Sequence, residues 1–311
     1  MPKVSVIMIT YNRIQYVRNM VEDILGQTYS DFEYIIVNNG CTDGTENLLN
    51  DYVSKDSRIK IVTLLDSKMI GYARNRGVEA SKGEYIVFVD DDDRVKSGFL
   101  EFLVNLLEDN NADISMCGAT EGDGITRNPQ CLFDEKLILS GEEATDLLIG
   151  RKYIRAGMPT KLYKREILER YPFVENYKNE DIHTQYKYLL AGSVVAIYGV
   201  DYYYFTRHNN NVSGFTSNPG GWNYQTMKDY IEAYHNRTQF IREHAPNIFE
   251  HALYSEWSFM ISMIDKIESF NIIDCRPLED DFKKILAENR DTFTNMKYVQ
   301  KFEIDWMEKY I

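Results

Sequence analysis

Four consecutive aspartates at residues 90–93 directly follow an apolar run of the sequence, EYIVFV at 84–89. Like charges at this spacing repel one another, so the cluster is costly unless a cation lies among the carboxylates. Carboxylate oxygens are preferred ligands of hard divalent cations such as Mg²⁺ and Mn²⁺, whose coordination is often completed by water and substrate phosphates. From these residues alone two interpretations remain open. The cluster is a metal and phosphate site, or it is an acidic turn at the start of the next helix, where the helix dipole favours carboxylates.

Two arginines precede the same run and could hold the anionic part of a ligand. Arg74 and Arg76 lie in GYARNRGVEASKGEY at 71–85, and guanidinium groups bind phosphates and carboxylates through paired hydrogen bonds. The alternative is that both are surface residues of a helix. The residues by themselves favour neither interpretation.

The first half of the sequence predicts the strands and helices that would position these aspartates and arginines. Short β-branched runs, typical of buried strands, occur at VSVIMI (4–9), EYIIVN (33–38), RIKIVTL (58–64), EYIVFV (84–89) and ADISMC (112–117). Apolar residues at helical spacing separate these runs. The alternation predicts an α/β fold with a doubly wound, mostly parallel sheet of Rossmann-like type. Ligands bind such sheets at the carboxyl ends of the strands, where this chain has TYN at 10–12, NNG at 38–40 and the aspartates.

Composition excludes several classes of function. The 311 residues include 35 basic and 48 acidic ones, and the net charge of −13 disfavours nucleic acid as a partner. The four cysteines form no CxxC pair, so neither a structural zinc site nor a disulfide framework is expected. No apolar run reaches the roughly 18 residues of a membrane span, and the N-terminal run is too short for a signal peptide. We therefore expect a soluble, cytoplasmic protein.

The second half of the sequence is less regular. Residues 118–160 are predicted to form a long loop with one helix near 141–149, which the capping box SGEE at its start supports. A further helix is predicted at 179–192, and one or two strands at 193–208.

Three helical patterns follow residue 222, and they suggest a separate unit. We predict a catalytic domain at 1–215 and a helical C-terminal extension at 216–311 that packs on it. Any surplus apolar face of these helices would serve self-association into a homo-oligomer or contact with a lipid-linked acceptor.

Five segments follow one another in the order and spacing of a family 2 glycosyltransferase. They are VSVIMITYNR, YIIVNNGCTDGT, ARNRGVEASKGEYIVFVDDDD, TKLYKREIL and NEDIHTQYKYLLAG. The chain resembles this family over about residues 3–215, and the helical tail takes no part in the resemblance. The resemblance implies a GT-A fold and an inverting, metal-dependent enzyme that uses a nucleotide-diphospho-sugar.

The resemblance implies that five residues outside the aspartate cluster belong to the donor site: Thr10, Tyr11, Asn39, Arg74 and Arg207. Thr10 and Tyr11 match positions that line the uracil pocket, and Arg74 matches a donor-binding arginine. Asn39 stands where the family usually has an aspartate that binds the uracil N3–H. Because an amide oxygen can still accept that hydrogen bond, UDP remains the expected carrier.

The aspartates match the DxD motif of the family. Asp90 is expected to contact the ribose, and Asp92 to coordinate the Mn²⁺ or Mg²⁺ ion that bridges the diphosphate. Asp91 belongs to the same donor site, and it is expected to turn, with Asp93, towards solvent or the ribose. The resemblance thus explains how four negative charges are tolerated at one strand end, because a dication and a nucleotide would lie there.

Three further residues are assigned less directly. Arg207 and His208 match the segment after the last strand, where a basic residue helps to hold the diphosphate. His208 could also be a metal ligand, although a histidine in a polar loop is more often only hydrogen-bonded. Asp43, in CTDGT, is either a helix cap or a ligand.

The general base is expected among two adjacent acids, Glu180 and Asp181. Adjacent helical residues point about 100° apart, so only one of them can face the cleft squarely. Ile182 and Tyr186 mark the predicted buried stripe, with Asp181 near that side and Glu180 turned further round. The family's base is also the aspartate of this pair. Asp181 is therefore predicted to be the catalytic base, and Glu180 to contact the acceptor or the donor sugar.

The resemblance predicts transfer of a sugar from UDP to an acceptor hydroxyl with inversion. Its acceptors would be saccharides or lipid-linked saccharides of bacterial surface-polysaccharide assembly, which would bring the protein to the inner face of the cell membrane. Two alternatives remain. A sugar-phosphate nucleotidyltransferase would need a glycine-rich loop after the first strand, where TYNRIQY has no glycine. A nucleotide-sugar binding or scaffold protein would bind the donor without releasing UDP.

Overall fold

The structure is a computed structural model that describes residues 1–208 and 221–311. Its contacts divide the chain into two compact units. The first comprises Met1–Leu148 and Lys152–Arg207, and the second comprises Ile149–Arg151 and His208–Ile311. The domain boundary predicted at residue 215 lies outside the described residues and stays a prediction.

The first unit is built on one mixed sheet. Its strands are β1 (Val4–Thr10), β2 (Phe32–Asn39), β3 (Ile59–Leu64), β4 (Tyr85–Asp90), β5 (Arg94–Val95), β6 (Ile114–Gly122), β7 (Asn128–Gln130), β8 (Lys136–Leu139), β9 (Lys161–Lys164) and β10 (Val195–Thr206). They are ordered β3-β2-β1-β4-β9-β6-β10-β5, with β7 beside β6 and β8 beside β10. Strands β1 to β4 pair in parallel, as do β6 and β10, while β9 lies antiparallel between β4 and β6. The predicted α/β class is confirmed.

Helices follow most of these strands. They are α1 (Ile14–Leu25), α2 (Thr45–Val53), α3 (Ile70–Ala80), α4 (Phe99–Asp109), α5 (Gly141–Ile149), α6 (Arg165–Arg170) and α7 (Glu180–Ala191). The prediction of a loop with a single helix at 118–160 is wrong, because β7 and β8 lie there besides α5. These two strands are short and mostly exposed, so their sequences lack the pattern of buried apolar residues from which a strand is predicted. They form by pairing with the long strands β6 and β10.

The register of the sheet aligns the ends of three strands. Thr10 pairs with Asn38 and Ile9 with Asp90, so β1, β2 and β4 finish at one edge. Helix α3 packs directly on this part of the sheet, since a Cβ at Gly77 would lie only 2.6 Å from Ile7 Cγ2. This close packing sets the distance between α3 and the sheet, and so the position of the α3 side chains relative to the strand ends.

The second unit is helical. Its helices are α8 (Tyr224–His244), α9 (Phe249–Phe270), α10 (Arg276–Glu288), α11 (Arg290–Thr294) and α12 (Lys301–Tyr310). The first three were predicted from their apolar faces. The last two were not, and α12 begins at a capping box formed by Gln300 and Glu303. Within the two described ranges, no helix has the length and apolarity needed to cross a membrane.

A buried carboxylate ties the opposite edge of the sheet together. Glu33, only 3% exposed, accepts hydrogen bonds from the Ser5 hydroxyl at 2.8 Å, the Lys60 ammonium at 2.5 Å and the backbone N–H groups of Lys82 and Gly83. Burial by itself raises the pKa of Glu33, but Lys60 and the Lys82 N–H outweigh it, so the pKa lies below its ordinary value.

Replacing this carboxylate should cost stability in a pH-dependent way. Glu33→Gln should lower the free energy of unfolding by about 2 kcal/mol at neutral pH, because it removes the charge that pairs with Lys60. Since the folded-state pKa is depressed, this contribution is present above the unfolded pKa of about 4.5 and is lost as pH falls through the folded value. Urea unfolding at pH 7 and about pH 3.5 measures it. Glu46→Gln, at an exposed position of α2, is the control, and an equal loss at both pH values would contradict the assignment.

Candidate active site

The aspartate turn is folded back into the protein. Asp91 and Asp93 are buried, whereas Asp90 and Asp92 are half-buried. Asp93 accepts hydrogen bonds from the Tyr203 hydroxyl and the Thr206 N–H, both at 2.8 Å, which ties the turn to β10. The expectation that Asp91 and Asp93 turn towards solvent is therefore wrong, and the alternative of a contact with the ribose stays a prediction.

Arg13 supplies a countercharge to this turn. It follows β1, and its guanidinium contacts Asp92 and lies 3.7 Å from Asp91 Oδ1. Burial raises the pKa of Asp91 to about 7, although Thr10 and Arg13 favour its ionised form. Sequence reasoning missed Arg13. The available signal was an arginine directly after the first strand, at the edge where the aspartates were expected.

Arg74, on α3, is buried against β4, α7 and the segment that precedes α7. Only 4% of it is exposed, and its guanidinium contacts Glu180 of α7 and lies 3.8 Å from Asp90 Oδ1 of β4. The rings of Phe88 and Phe173 each lie 5.6 Å from its Cζ atom. The surface-arginine interpretation is thus wrong for Arg74.

Arg76 has a different environment from Arg74. It is half-buried and pairs with Glu79 one turn further along α3. Helical residues that are two positions apart point in directions about 200° apart. Arg74 and Arg76 therefore cannot both face the same site. Arg76 therefore takes the helix-surface interpretation.

Of the two acids at the start of α7, Glu180 is the more buried, whereas the sequence predicted Asp181 to be. Glu180 is 3% exposed, and Asp181 is half-buried with one oxygen 2.8 Å from the Ile182 N–H. The helix-face argument that placed Asp181 nearer the buried stripe is wrong. Burial raises the pKa of Glu180 to about 7, with the positive charge of Arg74 opposing the rise. The buried guanidinium needs a carboxylate partner, and that need determines which acid turns inwards.

Asn39 has a structural task that the sequence did not reveal. Its amide nitrogen donates to Lys68 O at 2.9 Å, and its amide oxygen accepts from Lys68 N at 2.9 Å. A carboxylate could not reproduce the donated bond. The amide therefore holds the segment before α3 against the end of β2, and its predicted contact with uracil would use the remaining lone pair of the same oxygen.

The other predicted residues near β1 are also placed. Thr10 is buried and Tyr11 is exposed at the same strand end. Asp43 accepts hydrogen bonds from Thr45 N at 3.1 Å and Ile14 N at 3.0 Å, which cap the starts of α2 and α1. Of its two predicted roles, the structure supports the helix cap.

Arg207 is the last residue of the first unit in the chain, and His208 belongs to the second. The Arg207 Nε donates to Glu121 at 3.0 Å, and its backbone N–H donates to Gly122 O at 2.7 Å. His208 begins the second unit, and its role as a metal ligand stays a prediction.

The aspartate turn has the chemistry of a metal site that needs a substrate to complete it. Among residues 1–208 and 221–311, no three His, Cys, Asp or Glu side chains are grouped to hold an ion. Burial raises the pKa of both Asp90 and Asp93, and repulsion by the neighbouring carboxylate of Asp92 raises it further. This crowding of carboxylates fits a dication that shares its ligands with a diphosphate.

Several curated proteins are similar to this chain. The glycosyltransferase GlyG of Streptococcus pneumoniae serotype 4 is 27% identical over 221 residues, covering 67% of this chain and 72% of that protein. EpsJ, an uncharacterized glycosyltransferase of Bacillus subtilis, is 34% identical over 54% of this chain and 50% of its own length. The poly(ribitol-phosphate) beta-glucosyltransferase of Bacillus spizizenii is 27% identical over 74% of this chain and 36% of its own. The chain thus spans half or less of the last two.

Solved structures share the fold. TarS 1-349 of S. aureus in complex with UDP-GlcNAc superposes with a TM-score of 0.65 at 19% identity, over 94% of this chain and 89% of that one. The mannosyltransferase PcManGT of Pyrobaculum calidifontis, in complex with GDP-Man and Mn²⁺, gives 0.60 at 16% identity, over 99% and 84%. The sequence model of Glycosyl transferase family 2 matches residues 5–172, more than half of the chain. The chain therefore belongs to glycosyl transferase family 2 and is a glycosyltransferase of GT-A fold.

Proposed function

We propose that the chain transfers a sugar from a UDP-sugar to a hydroxyl group of a saccharide or lipid-linked saccharide, with inversion at the anomeric carbon. One observation carries the proposal. Arg74 is buried between Glu180 and Asp90, beside the aspartate turn at the carboxyl edge of the sheet. A cation and several acids at this edge suit a ligand that has both a diphosphate and a polar sugar.

The relatives support a UDP carrier and a surface-polymer acceptor. TarS was crystallised with UDP-GlcNAc, and one relative is a poly(ribitol-phosphate) beta-glucosyltransferase. The transferred sugar would on this basis be a hexose or an N-acetylhexosamine. Self-association through the helical unit and contact with the inner membrane face are parts of the proposal that rest on the sequence.

Asp92 would hold the Mn²⁺ or Mg²⁺ ion, with His208 as the second candidate ligand. When bound, such an ion stabilises the negative charge that develops on a departing diphosphate. Arg13 now pairs with Asp92 and would have to give up that contact. Its guanidinium would then be available to a phosphate oxygen at the same strand end.

The proton transfer is assigned to Asp181. The acceptor O–H gives its proton to the Asp181 carboxylate as its oxygen forms the new bond to the anomeric carbon. The bond from that carbon to the diphosphate oxygen breaks in the same displacement, and UDP leaves with the electron pair. Glu180 keeps Arg74 ionised and oriented, so it acts on the donor through that arginine.

UDP release tests the function. The protein is incubated with Mn²⁺, a saccharide acceptor and each of a panel of UDP-, GDP- and CDP-sugars. We expect UDP to be released from one UDP-sugar and the product to have the inverted anomeric configuration. Binding of UDP-sugars without acceptor-dependent release would instead indicate a nucleotide-sugar binding protein. A preference for GDP- or CDP-sugars would show that the base assignment is wrong.

Asp181→Asn should slow transfer by roughly 10²–10⁴-fold, the usual contribution of a general base. Donor binding should be unchanged, because Asp181 contacts neither Arg74 nor the aspartate turn in the proposed roles. Glu180→Gln should mainly weaken donor binding, since it removes the charge that pairs with Arg74. Asp109→Asn, at an exposed position of α4, is the matched control. If Asp181→Asn keeps its rate while Glu180→Gln is inactive, the two roles are reversed.

Arg13→Gln should strengthen Mn²⁺ binding about tenfold in the absence of nucleotide. The substitution removes a cation that competes for Asp92 and leaves the turn more negative. Calorimetric titration with Mn²⁺ measures this affinity independently of activity. Arg18→Gln, at an exposed position of α1, is the control, and Asp92→Asn is the reference that should not bind the ion. Unchanged or weaker binding by Arg13→Gln would disprove the competition.

Arg74→Met should lower the free energy of unfolding by about 3–5 kcal/mol, because Glu180 is left buried without its partner. The double variant Arg74→Met/Glu180→Leu should recover more than half of that loss, since it buries no charge at this position. Urea unfolding of the two single variants and the double variant forms a cycle that isolates the pair. Additive losses would mean that the two side chains do not depend on each other.

A further inference from the structure

The second unit contains a cavity that takes no part in the proposed transfer chemistry. Its volume is about 470 Å³, within the range of small-molecule sites. It lies between residues 149–151 and helices α8 and α9. None of the residues assigned to donor binding or catalysis lines it.

Aromatic rings form one wall of this cavity. The rings of Trp222 and Tyr230 lie 5.3 Å apart, and those of Tyr234 and Phe259 stack at 4.7 Å. The face of an aromatic ring is electronegative and attracts polarised C–H bonds. A sugar ring presents several such bonds on one face, so this wall suits a saccharide.

One face of α9 lines the cavity with hydroxyl groups. Ser255, Ser258 and Ser262 are three or four residues apart, which places them on one side of the helix. Ser255 accepts a hydrogen bond from Arg237 at 2.9 Å. Because a hydroxyl both donates and accepts, this row can match the hydroxyl groups of a sugar.

Two cations lie among the lining residues that the structure describes, none of which is acidic. The Lys266 Nζ lies 5.3 Å from the centre of the Trp222 ring, and the Arg151 guanidinium donates to the Tyr234 hydroxyl at 2.7 Å. Within the described part of the chain, neither cation forms an ion pair with a carboxylate. In a chain of net charge −13, two such cations in one cavity favour an anionic ligand.

We propose that this cavity binds a phosphate-bearing sugar, with the ring against the aromatic wall and the phosphate between Arg151 and Lys266. The proposal rests on the proposed function in one respect, since it takes such a sugar to be part of the acceptor. It implies that the helical unit recognises a charged saccharide outside the transfer site.

Glucose 6-phosphate is the probe, with glucose and inorganic phosphate as its neutral and sugar-free counterparts. In calorimetric titrations of the full chain, glucose 6-phosphate should bind at least tenfold more tightly than either. Lys266→Gln and Arg151→Gln should each weaken its binding about tenfold. Lys284→Gln, an exposed lysine of α10 outside the cavity, makes the same charge change and should have no effect.

Two results would overturn the site: no binding of glucose 6-phosphate, or equal affinity in Lys266→Gln and Lys284→Gln. Equal binding of glucose and glucose 6-phosphate would also refute the anionic assignment. UDP is titrated with Mn²⁺ against the same proteins, and Lys266→Gln should leave its affinity unchanged. Failure of UDP binding in the unmodified chain counts against the proposed function, whereas loss of glucose 6-phosphate binding alone counts against this site.

Discussion

The carboxyl edge of the sheet depends on one guanidinium group that is almost fully removed from water. A buried charge is tolerated only if it is paired and hydrogen-bonded, so Arg74 must have acids around it. Those acids come from β4 and α7, which are about 90 residues apart in the chain. The pairing therefore sets the position of Asp90 relative to α7, and with it the distance between the aspartate turn and Asp181.

The same edge concentrates negative charge beyond what its cations balance. Arg13 and Arg74 lie beside four acids, Asp90, Asp91, Asp92 and Glu180. Burial raises the pKa of Asp90, Asp91 and Asp93. The turn keeps its shape because Asp93 is held by Tyr203 and Thr206 of β10. Apart from the release of Arg13, a turn held in this way would need little reordering to bind the cation that we propose for it.

The two units carry opposite local chemistry. The first unit groups buried and half-buried acids at the carboxyl edge of its sheet and would, as proposed, meet a phosphate through a metal ion. The cavity of the second unit has two basic side chains, hydroxyl groups and aromatic rings. Members of one glycosyltransferase family share features for binding a nucleotide-sugar donor, whereas features for binding the acceptor differ from member to member. The family model ends at residue 172 and covers only residues 149–151 of the second unit. Helices α8 to α12 lie outside it and are therefore where features particular to this chain are expected.

The sequence alone determined the α/β class, the positions of the buried strands along the chain and the edge at which Thr10, Asn39 and the aspartates meet. These follow from local periodicity and from the rule that parallel strands end together. It could not show that Arg13 pairs with Asp92, that Asn39 binds the Lys68 backbone, or that Glu180 is the buried acid of its pair. Each of these depends on a contact between elements far apart in the chain. Helical periodicity considers only apolar residues, and it therefore placed Asp181 on the inner side of α7. In the tertiary structure Glu180 lies on that side, because the buried guanidinium of Arg74 needs a carboxylate partner there.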